Sequence, residues 1–553
     1  MLTSLIGVII LLGGLIFFHE LGHYSIAKLF GVKVEVFSLG FGKKIFRRKW
    51  GETEYALSLF PLGGYVKLMG DDPYKGVPAH EAERAFCTQK LYKRFLIVAA
   101  GPLANLLLAY VLYTLIFFVG QPMIGNQIGN VVVNSPAWDA GLRNKDRIVG
   151  ISGAPIRFWT EMEENLKAKV GERVELQIER SGNALVIPYV VSQVRMKNPF
   201  GEEENVGGIK GVSEFPLLAM VGISKPDSLA GVAGLKTGDR VTKVNGTTVL
   251  TFIDLKEAID SALAQGTNLD LTIMRGETES AADAKESTAT LSVKSKPKDV
   301  VGFGVLEALG IYPSDIFVHK ISPDSPAQKG GLMPGDRISM VNGKAIHNFE
   351  MISDLVQLTG KAEGEADIQV ERNGLTVTLS LKPESTTLED PLTHQSYQKF
   401  LIGFKPYATI APSEYSELQI RNPIQLVSKS FNEVNTMAYR MLLSLGKLVN
   451  GSISVKNLGG PVMIASVAGK SLDAGLIPFI QVMALISINL FLLNLFPIPI
   501  LDGGHLLFFA VEGARGRPVS IRTMEIANQV GMVFILMLVG LTFFNDISRI
   551  IFH

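Results

Sequence analysis

The sequence has a single cysteine, Cys87, among 553 residues. A lone cysteine excludes an intrachain disulfide framework and a zinc site built from cysteines. Charged residues are also scarce, at 19%, and the 53 basic and 52 acidic residues leave a net charge of +1. Because there is no basic excess, electrostatics give no reason to expect a nucleic-acid partner.

Hydrophobic residues make up 47% of the chain, and the mean hydropathy is +0.27. These values are too apolar for an ordinary soluble multidomain protein and too polar for a protein made only of membrane spans. Four uncharged stretches are long enough to cross a hydrocarbon core of about 30 Å. They cover residues 1–18, 95–120, 474–501 and 526–545. The sequence therefore predicts a polytopic α-helical membrane protein with four transmembrane helices and large water-exposed domains.

Basic residues gather in the two segments that join these spans in pairs. Residues 28–94 carry thirteen lysines and arginines against seven acidic residues, and residues 503–525 add three arginines. Short cytoplasmic loops of membrane proteins carry such an excess, so we expect both segments to face the cytoplasm. Both chain termini and the long segment 121–472 then lie on the outer side.

The outer segment contains three copies of one motif, centred on Leu142, Leu235 and Leu332. The copies are Ala-Gly-Leu-x-x-x-Asp-Arg, Ala-Gly-Leu-x-x-Gly-Asp-Arg and Gly-Gly-Leu-x-x-Gly-Asp-Arg, spaced 93 and then 97 residues apart. They resemble PDZ domains of the bacterial, protease-associated kind, which are α+β domains that bind peptides by strand addition. A single such turn is typical of a simple hairpin, whereas three at domain spacing favour PDZ-like domains. The first copy departs from the pattern at Lys145.

Downstream of the repeats, apolar residues from Val434 to Val449 recur at helical spacing, opposite Arg440 and Lys447. This stripe predicts a helix that lies on the membrane surface or packs against the spans, with packing against the last repeat as the alternative. We therefore predict an N-terminal membrane part with a cytoplasmic-side β-hairpin, three PDZ-like domains in tandem, an amphipathic connecting segment and a C-terminal membrane part. Their predicted bounds are 1–120, then 121–205, 206–300 and 301–407, then 408–473, and finally 474–553.

The first apolar stretch ends in His19-Glu20-Leu-Gly-His23. On a helix the two histidines project from one face and can bind one zinc ion, while Glu20 lies beside them to act on a water molecule. With only eight histidines in the chain, a chance motif of this kind occurs in roughly one such chain in a hundred. Two histidines and a carboxylate are costly inside a membrane span, so the motif predicts an intramembrane functional site.

A catalytic zinc site needs a third protein ligand and one open position. The candidate is Asp502, the first charged residue after 28 uncharged ones, within the segment 494–505. Two prolines and a glycine pair in this segment predict irregular backbone at membrane depth, which is tolerated only inside protein or beside a wet cavity. The alternative is that Asp502 merely ends a span in water. His505 could also bind the metal or support Asp502, and we rank it second.

Residues 55–59 and 65–68 flank a Pro-Leu-Gly-Gly turn and predict a β-hairpin between the first two spans. The hairpin lies close in sequence to the predicted metal site. A purely structural hairpin is the alternative to a functional one. An edge strand beside the metal would be useful, because a substrate helix must be extended before its peptide bond reaches the metal.

These motifs resemble the site-2 protease family of intramembrane zinc metalloproteases. The resemblance rests on the His-Glu-x-x-His motif, Gly40-Phe-Gly42, the hairpin turn, Gly101-Pro-x-x-Asn105 and the segment 494–502. It implies one Zn²⁺ per chain bound by His19, His23 and Asp502, with Glu20 as the catalytic acid and base. It also implies substrate contacts from Gly63, Gly64, Tyr65, Asn105 and Asn494.

The resemblance further implies hydrolysis of a peptide bond in or near the transmembrane segment of a single-pass protein whose outer part is already trimmed. The expected substrate is a membrane-bound anti-sigma factor or a remnant signal peptide. The enzyme would lie in the bacterial inner membrane, with the active site toward the cytoplasm and the PDZ-like domains outside. The alternatives are a non-catalytic membrane-tethered PDZ scaffold that captures exposed termini, and a metal transporter with ligands on several spans.

Overall fold

The computed structural model describes residues 2–71, 77–197, 203–266, 268–276, 285–291, 304–389, 396–407, 410–451, 455 and 458–552. The chain divides into two compact units. The first, here called the membrane unit, comprises Met1–Gln121 and Glu417–His553. The second, here called the outer unit, comprises Pro122–Leu392 and Ser396–Ser416.

The α-helices of the described residues are α1 (Leu2–Leu29), α2 (Leu91–Val119), α3 (Pro136–Asp139), α4 (Trp159–Leu166), α5 (Leu229–Val232), α6 (Phe252–Ala264), α7 (Gly304–Leu309), α8 (Pro326–Lys329), α9 (Phe349–Lys361), α10 (Pro423–Val449), α11 (Pro461–Ala474), α12 (Leu476–Leu495), α13 (Asp502–Arg515) and α14 (Ile521–Phe552). The strands are β1 (Val34–Trp50), β2 (Thr53–Leu68), β3 (Gln121–Ile124), β4 (Asn130–Val131), β5 (Arg147–Ile151), β6 (Ala154–Pro155), β7 (Arg173–Arg180), β8 (Asn183–Val190), β9 (Ser192–Lys197), β10 (Glu203–Gly208), β11 (Val212–Ser213), β12 (Val221–Gly222), β13 (Arg240–Val244), β14 (Thr247–Thr248), β15 (Leu269–Arg275), β16 (Lys285–Leu291), β17 (Tyr312–Pro313), β18 (Val318–Ile321), β19 (Arg337–Val341), β20 (Lys344–Ala345), β21 (Ala366–Arg372), β22 (Leu375–Leu381), β23 (Glu384–Glu389), β24 (Ser396–Leu401), β25 (Phe404–Pro406) and β26 (Tyr415–Leu418).

Four helices of the membrane unit are long and apolar enough to cross a membrane, as the sequence predicts. Their spanning parts are Thr3–Leu29, Leu91–Val119, Leu476–Leu495 and Ile521–Ser548. The third helix ends at Leu495, six residues before the end of the apolar stretch, because Pro497 and Pro499 cannot continue it. The chain then starts a new helix, α13, at Asp502.

The helices α1, α2 and α12 pack against one another, and α13 packs against α2. Helix α10 contains the predicted apolar stripe and packs against α2 and α12. Its buried side chains are Leu426, Ser430 and Val434, and its Phe431 ring stacks on the Tyr110 ring of α2 at 5.5 Å. Of the three packing modes open at the sequence level, the structure therefore has this helix packed against the spans.

The strands β1 and β2 build a sheet of four segments beside α1. Residues 34–39 of β1 pair with residues 64–68 on one side and with residues 54–57 on the other. Residues 44–50 of β1 then pair with residues 53–58 of β2. The segments 64–68 and 44–50 are consequently the two edges of this sheet. The predicted hairpin of residues 55–59 with 65–68 is wrong, because residues 34–39 lie between these two strands and pair with both. The Gly63-Gly64 segment connects two strands that are not neighbours and leads into the edge 64–68.

The outer unit contains three similar repeats, each with its own hydrophobic core. Each repeat has a four-stranded antiparallel sheet, with strand orders β6-β5-β7-β8, β14-β13-β15-β16 and β20-β19-β21-β22. A short helix precedes the first strand along the chain, and a longer helix, α4, α6 or α9, follows the second. The pattern of apolar and polar residues supports this fold. Helix α9 buries Ile352 and Val356, four residues apart, and in β21 buried positions alternate with exposed or partly exposed ones.

The aspartate of each repeated motif is buried and paired with an arginine at the end of the third strand of its sheet. The pairs are Asp146–Arg180, Asp239–Arg275 and Asp336–Arg372, at 2.6 to 2.7 Å. In every copy the same arginine also donates to a glycine carbonyl of the motif. The repeated aspartate thus closes a turn onto the sheet, which explains why it recurs at domain spacing.

Candidate metal centre

The two histidines of the first-span motif lie on one face of α1, as their spacing predicts. Their Nε2 atoms are 3.2 Å apart. Asp502 joins them, with its Oδ2 3.2 Å from Nε2 of His19 and 3.6 Å from Nε2 of His23. One ligand atom of each residue lies within 4.8 Å of the other two. The three side chains are at most 20% exposed, so helices from opposite ends of the chain meet in a buried polar cluster.

The chemistry and spacing of these three donors fit a zinc ion. Ligand atoms about 2.0–2.2 Å from a tetrahedral zinc are separated by roughly 3.3–3.6 Å, which is close to the distances in the cluster. Nδ1 of His23 lies 2.8 Å from the carbonyl oxygen of Ile97. That hydrogen bond places the proton on Nδ1 and leaves the Nε2 lone pair for a metal. Two histidines and one carboxylate leave a fourth position open, as catalytic zinc sites do.

Asn105 of α2 contacts the other imidazole. Its amide nitrogen lies 3.3 Å from Nδ1 of His19, and its buried Oδ1 has no hydrogen-bond partner among the described residues. Turning the amide by 180° brings Oδ1 to an Nδ1–H donor, which satisfies both groups and frees Nε2 of His19 for the metal. Ser487 of α12 fixes this part of α2 by donating to the Asn105 carbonyl at 2.7 Å.

The helices α1 and α2 approach closely at the cluster because glycines leave room. A Cβ atom on Gly101 would lie 2.2 Å from Nε2 of His23 and 2.9 Å from Cε1 of His19. A Cβ atom on Gly22 would lie 2.2 Å from the Ala100 carbonyl oxygen. Any larger residue would therefore displace the imidazoles or separate the helices. The glycine of the second-span motif thus provides the space that the histidines occupy.

Asp502 is the first residue of α13 and follows irregular backbone. Ile500 has a φ of +88°, a conformation that β-branched residues rarely adopt. A Cβ atom on Gly503 would lie 2.1 Å from the Phe496 carbonyl oxygen, and Gly504 is similarly confined by preceding backbone. The turn folds back tightly on itself, which only glycine permits, and this turn carries the carboxylate to the histidines. A carboxylate is also favoured at a helix N-terminus.

Glu20 lies on α1 facing the edge of the β1–β2 sheet. A Cβ atom on Gly64 would lie 3.0 Å from Cγ of Glu20, so the strand passes directly beside this side chain. A Cβ atom on Gly63 would lie 1.8 Å from the Phe41 ring. The Tyr65 ring stacks on the same Phe41 ring, with the ring centres 6.4 Å apart. Gly63 and Gly64 thus allow the edge strand 64–68 to approach the candidate acid and base.

Two residues singled out in the sequence lie outside the cluster of three ligand atoms. His505 lies one turn after Asp502 on α13, where its ring contacts the Phe508 ring edge-on, and burial lowers its pKa. Asn494 lies in the last turn of α12. Its side-chain amide is only partly buried and makes no hydrogen bond among the described residues.

An ion pair that no sequence motif marks joins α13 to α2. Nη2 of Arg94 lies 2.5 Å from Oε1 of Glu512, and its Nη1 lies 3.2 Å from Oε2. The guanidinium is also 5.1 Å from the centre of the Phe509 ring. The partners are 418 residues apart, so sequence spacing gives no signal of the contact.

The chain is similar to known proteins over nearly its whole length. Peptidase family M50 matches residues 7–538 of the chain. The chain is 29% identical over 550 residues to "Protease RseP" of Yersinia pestis, and 28% identical over 552 residues to "Regulator of sigma-E protease RseP" of Escherichia coli K12. It is 30% identical over 557 residues to "Regulator of sigma E protease" of Haemophilus influenzae. Each alignment covers 99% of both chains.

Among solved structures, a PDZ domain protein from Parabacteroides distasonis aligns over 52% of this chain and all of its own, at 10% identity and a TM-score of 0.13. A TM-score of this size carries no argument about the fold of the outer unit. The family match, by contrast, spans both ends of the chain, including the helices that supply His19, His23 and Asp502. The resemblance seen in the sequence is therefore confirmed: the chain belongs to peptidase family M50, the site-2 protease family of intramembrane metalloproteases.

Proposed function

We propose that this chain uses one zinc ion, held by His19, His23 and Asp502, to hydrolyse a peptide bond in or near the transmembrane segment of a single-pass membrane protein. The observation that carries the proposal is the meeting of three metal-binding side chains from α1 and α13 next to Glu20. The names of the relatives as proteases and sigma-E regulators support regulated intramembrane proteolysis. A non-catalytic scaffold would not require two histidines and a carboxylate to meet inside the protein.

When bound, zinc supplies a Lewis acid that lowers the pKa of a water molecule and polarises the scissile carbonyl. His19 and His23 direct Nε2 to the metal because Asn105 and Ile97 engage their Nδ1 atoms. Glu20 accepts a proton from the attacking water and delivers it to the leaving amine nitrogen as the C–N bond breaks. Enclosure by α1, α2 and α12 keeps the polar groups away from lipid.

The substrate would bind as an added strand. Residues 64–68 form a sheet edge that pairs with a strand on one side only within the described part of the chain, and Gly64 of this edge lies against Glu20. An extended substrate segment that pairs with this edge would bring its peptide bonds past the acid and base. Gly63 and Tyr65 would shape this edge, and the free amide of Asn494 would hold the substrate backbone.

We further propose that the repeats are PDZ-like domains in tandem, covering 121–205, 206–300 and 301–407. Three similar sheets, each with one longer helix and the same buried aspartate–arginine pair, support this. They would lie outside the cytoplasm and select substrates whose outer part has been trimmed, by binding a new terminus or by excluding bulky domains. A membrane-bound anti-sigma factor or a remnant signal peptide in the bacterial inner membrane would be the substrate.

The test replaces Glu20 by Gln and follows cleavage of a tagged single-pass protein in membranes, together with the zinc content of the purified variant. Zinc binding should be retained and cleavage should fall at least about a hundredfold, because a general acid and base contributes 10²–10⁴ in rate. Glu83→Gln, at an exposed carboxylate outside the site, is the matched control and should cleave normally. Full cleavage by a zinc-loaded Glu20→Gln variant would refute the proposed mechanism.

A further inference from the structure

The edge of the β1–β2 sheet opposite the one beside Glu20 carries a dense group of basic and apolar side chains. It consists of residues 44–50 of β1, here called the basic edge. Four of these seven residues are cations, namely Lys44, Arg47, Arg48 and Lys49. The carboxylate that faces them, Glu54, is paired with Lys44 at 2.5 Å. A positive excess therefore remains along the edge.

Large apolar side chains are exposed between these cations. Trp50 is 80% exposed, Ile45 64% and Phe46 62%. Leu57 and Leu59, on the neighbouring strand, are about half exposed as well. Soluble surfaces rarely gather apolar groups at this density, so such a patch marks an interaction site.

The sheet is fixed at the level where the spans end. Val32 and Val34, just after α1, are fully buried in one cluster with Ala27 of α1 and Ile97 of α2. The span of α1 ends at Leu29 and that of α2 begins at Leu91, so this cluster holds the sheet at the membrane boundary. Trp50 pairs with Thr53 at this end of the sheet, where the Thr53 hydroxyl donates to the Val34 carbonyl oxygen. From Trp50 the edge runs back to Lys44 over roughly 20 Å, at about 3.3 Å per residue, alongside the rest of the sheet.

We propose that the basic edge is a lipid-binding surface that takes the anionic headgroups of phospholipids. Aromatic residues flanked by lysine and arginine suit the boundary between headgroups and acyl chains, because the rings enter the apolar layer while the cations meet phosphate. Each such cation near the surface favours an anionic lipid by about fivefold. The bilayer is the partner that both the apolar and the basic side chains fit, and it adjoins the spans already.

Trp50 provides a direct probe of this surface. The chain has three tryptophans, and the variant Trp138→Phe/Trp159→Phe leaves Trp50 as the only one. This variant is placed in nanodiscs of phosphatidylcholine that contain about 30 mol% phosphatidylglycerol, which gives the surface an anionic charge like that of a cytoplasmic leaflet. Bromine is carried either by the phosphatidylglycerol or by an equal amount of the phosphatidylcholine, and quenching of Trp50 fluorescence is compared.

Brominated phosphatidylglycerol should quench Trp50 at least about twofold more strongly, since cations enrich anionic lipid around the edge. Adding Arg47→Gln, Arg48→Gln and Lys49→Gln should make the two lipids equal quenchers. The control Arg515→Gln/Arg517→Gln/Arg522→Gln removes three exposed arginines elsewhere in the membrane unit and should keep the preference. Equal quenching by the two brominated lipids in the parent variant would overturn the proposal. An absence of quenching by either lipid would also overturn it, and would favour a protein or aqueous environment for the edge.

Discussion

Arg94 of α2 and Glu512 of α13 form an ion pair with two hydrogen bonds. Glu512 lies ten residues after the metal-ligand candidate Asp502 on the same helix. Both side chains of the pair are only about 15% exposed. Removing one partner of such a pair leaves a poorly solvated charge, which costs about 2 kcal/mol for partial burial. The pair thus holds the helix that begins with Asp502 against α2.

Glu512→Gln should consequently weaken zinc binding, because α13 gains freedom to withdraw Asp502 from the histidines. We expect a rise of roughly tenfold in the zinc dissociation constant, the lower end of the effect of supporting residues around metal sites. A competition titration with a chelator measures it in the purified protein. The exchanged pair Arg94→Glu/Glu512→Arg should restore part of the affinity, whereas Arg515→Gln on the exposed side of α13 should change nothing. Unchanged affinity for Glu512→Gln would show that the ion pair does not position Asp502.

Gly101→Ala should abolish tight zinc binding. The added methyl group would fall 2.2 Å from Nε2 of His23, so the imidazole must leave its position or the helices must separate, at a cost of about 1–3 kcal/mol. Metal analysis of the purified variant is the measurement. Gly13→Ala, on α1 where a Cβ atom meets nothing within 4 Å, is the matched control and should bind zinc fully. Normal zinc content in Gly101→Ala would contradict the close approach of α2 to the histidines.

Asp315, in the third repeat, should make the outer unit less stable as the pH rises. Burial raises the pKa of its carboxyl from 3.8 to about 6, although the Phe349 N–H donates to Oδ2, and Oδ1 has no partner among the described residues. The folded protein favours the protonated form, so this contribution is complete below pH 3.8 and is lost between there and about pH 6. The loss amounts to about 3 kcal/mol.

Hydrogen exchange of the β19 and β21 amides in the full detergent-solubilised chain measures this opening free energy. Asp315→Asn should remove the dependence between pH 4 and pH 6, which are about the limits of the titration. Asp324→Asn changes an exposed carboxylate of the same repeat and should leave the profile as it is. A profile unaltered by Asp315→Asn would assign the pH dependence to other groups.

Asp336→Asn should destabilise the third repeat without affecting the metal centre. The Asp336 carboxylate is 1% exposed and accepts from Arg372 and from the Met333 N–H. Loss of its charge leaves the Arg372 guanidinium with a weaker partner and costs roughly 3 kcal/mol. Faster exchange in β19 and β21 with unchanged zinc content is the expected result. Loss of zinc together with the repeat would contradict a purely structural role for the motif.

The sequence was most informative where one physical constraint dominates. Long uncharged runs predicted the four spans, and the helical spacing of His19 and His23 predicted their shared face. The contact with Asp502 did not follow from the spacing of residues, because the two segments are about 480 residues apart. Asp502 was instead predicted as the missing third ligand because it is the first charged residue after 28 uncharged ones, and the family resemblance implied the same residue. The helix α11 was not predicted as a separate element, since Lys470 and Asp473 interrupt its apolar pattern.

The repeated Gly-Asp motif was recognised, but its physical basis was not. The partner of each aspartate, such as Arg372 for Asp336, lies 34 to 36 residues downstream. That interval contains a helix and three strands, and the helix has 8 residues in the first repeat but 13 in the other two, so a scan for local motifs does not connect the two residues. The same reason hid the Arg94–Glu512 pair. Charged pairs that join distant elements become visible only when the fold has brought their ends together.

The most direct test of the account is whether residue 502 binds the metal. Asp502→Cys replaces the carboxylate by a thiolate, and zinc X-ray absorption of the purified protein should then show one sulfur at about 2.3 Å beside two imidazole nitrogens at about 2.0–2.1 Å. His505→Cys, three residues along α13, should give no zinc–sulfur distance. A first shell without sulfur in Asp502→Cys, or with sulfur in His505→Cys, would contradict a site built from His19, His23 and Asp502.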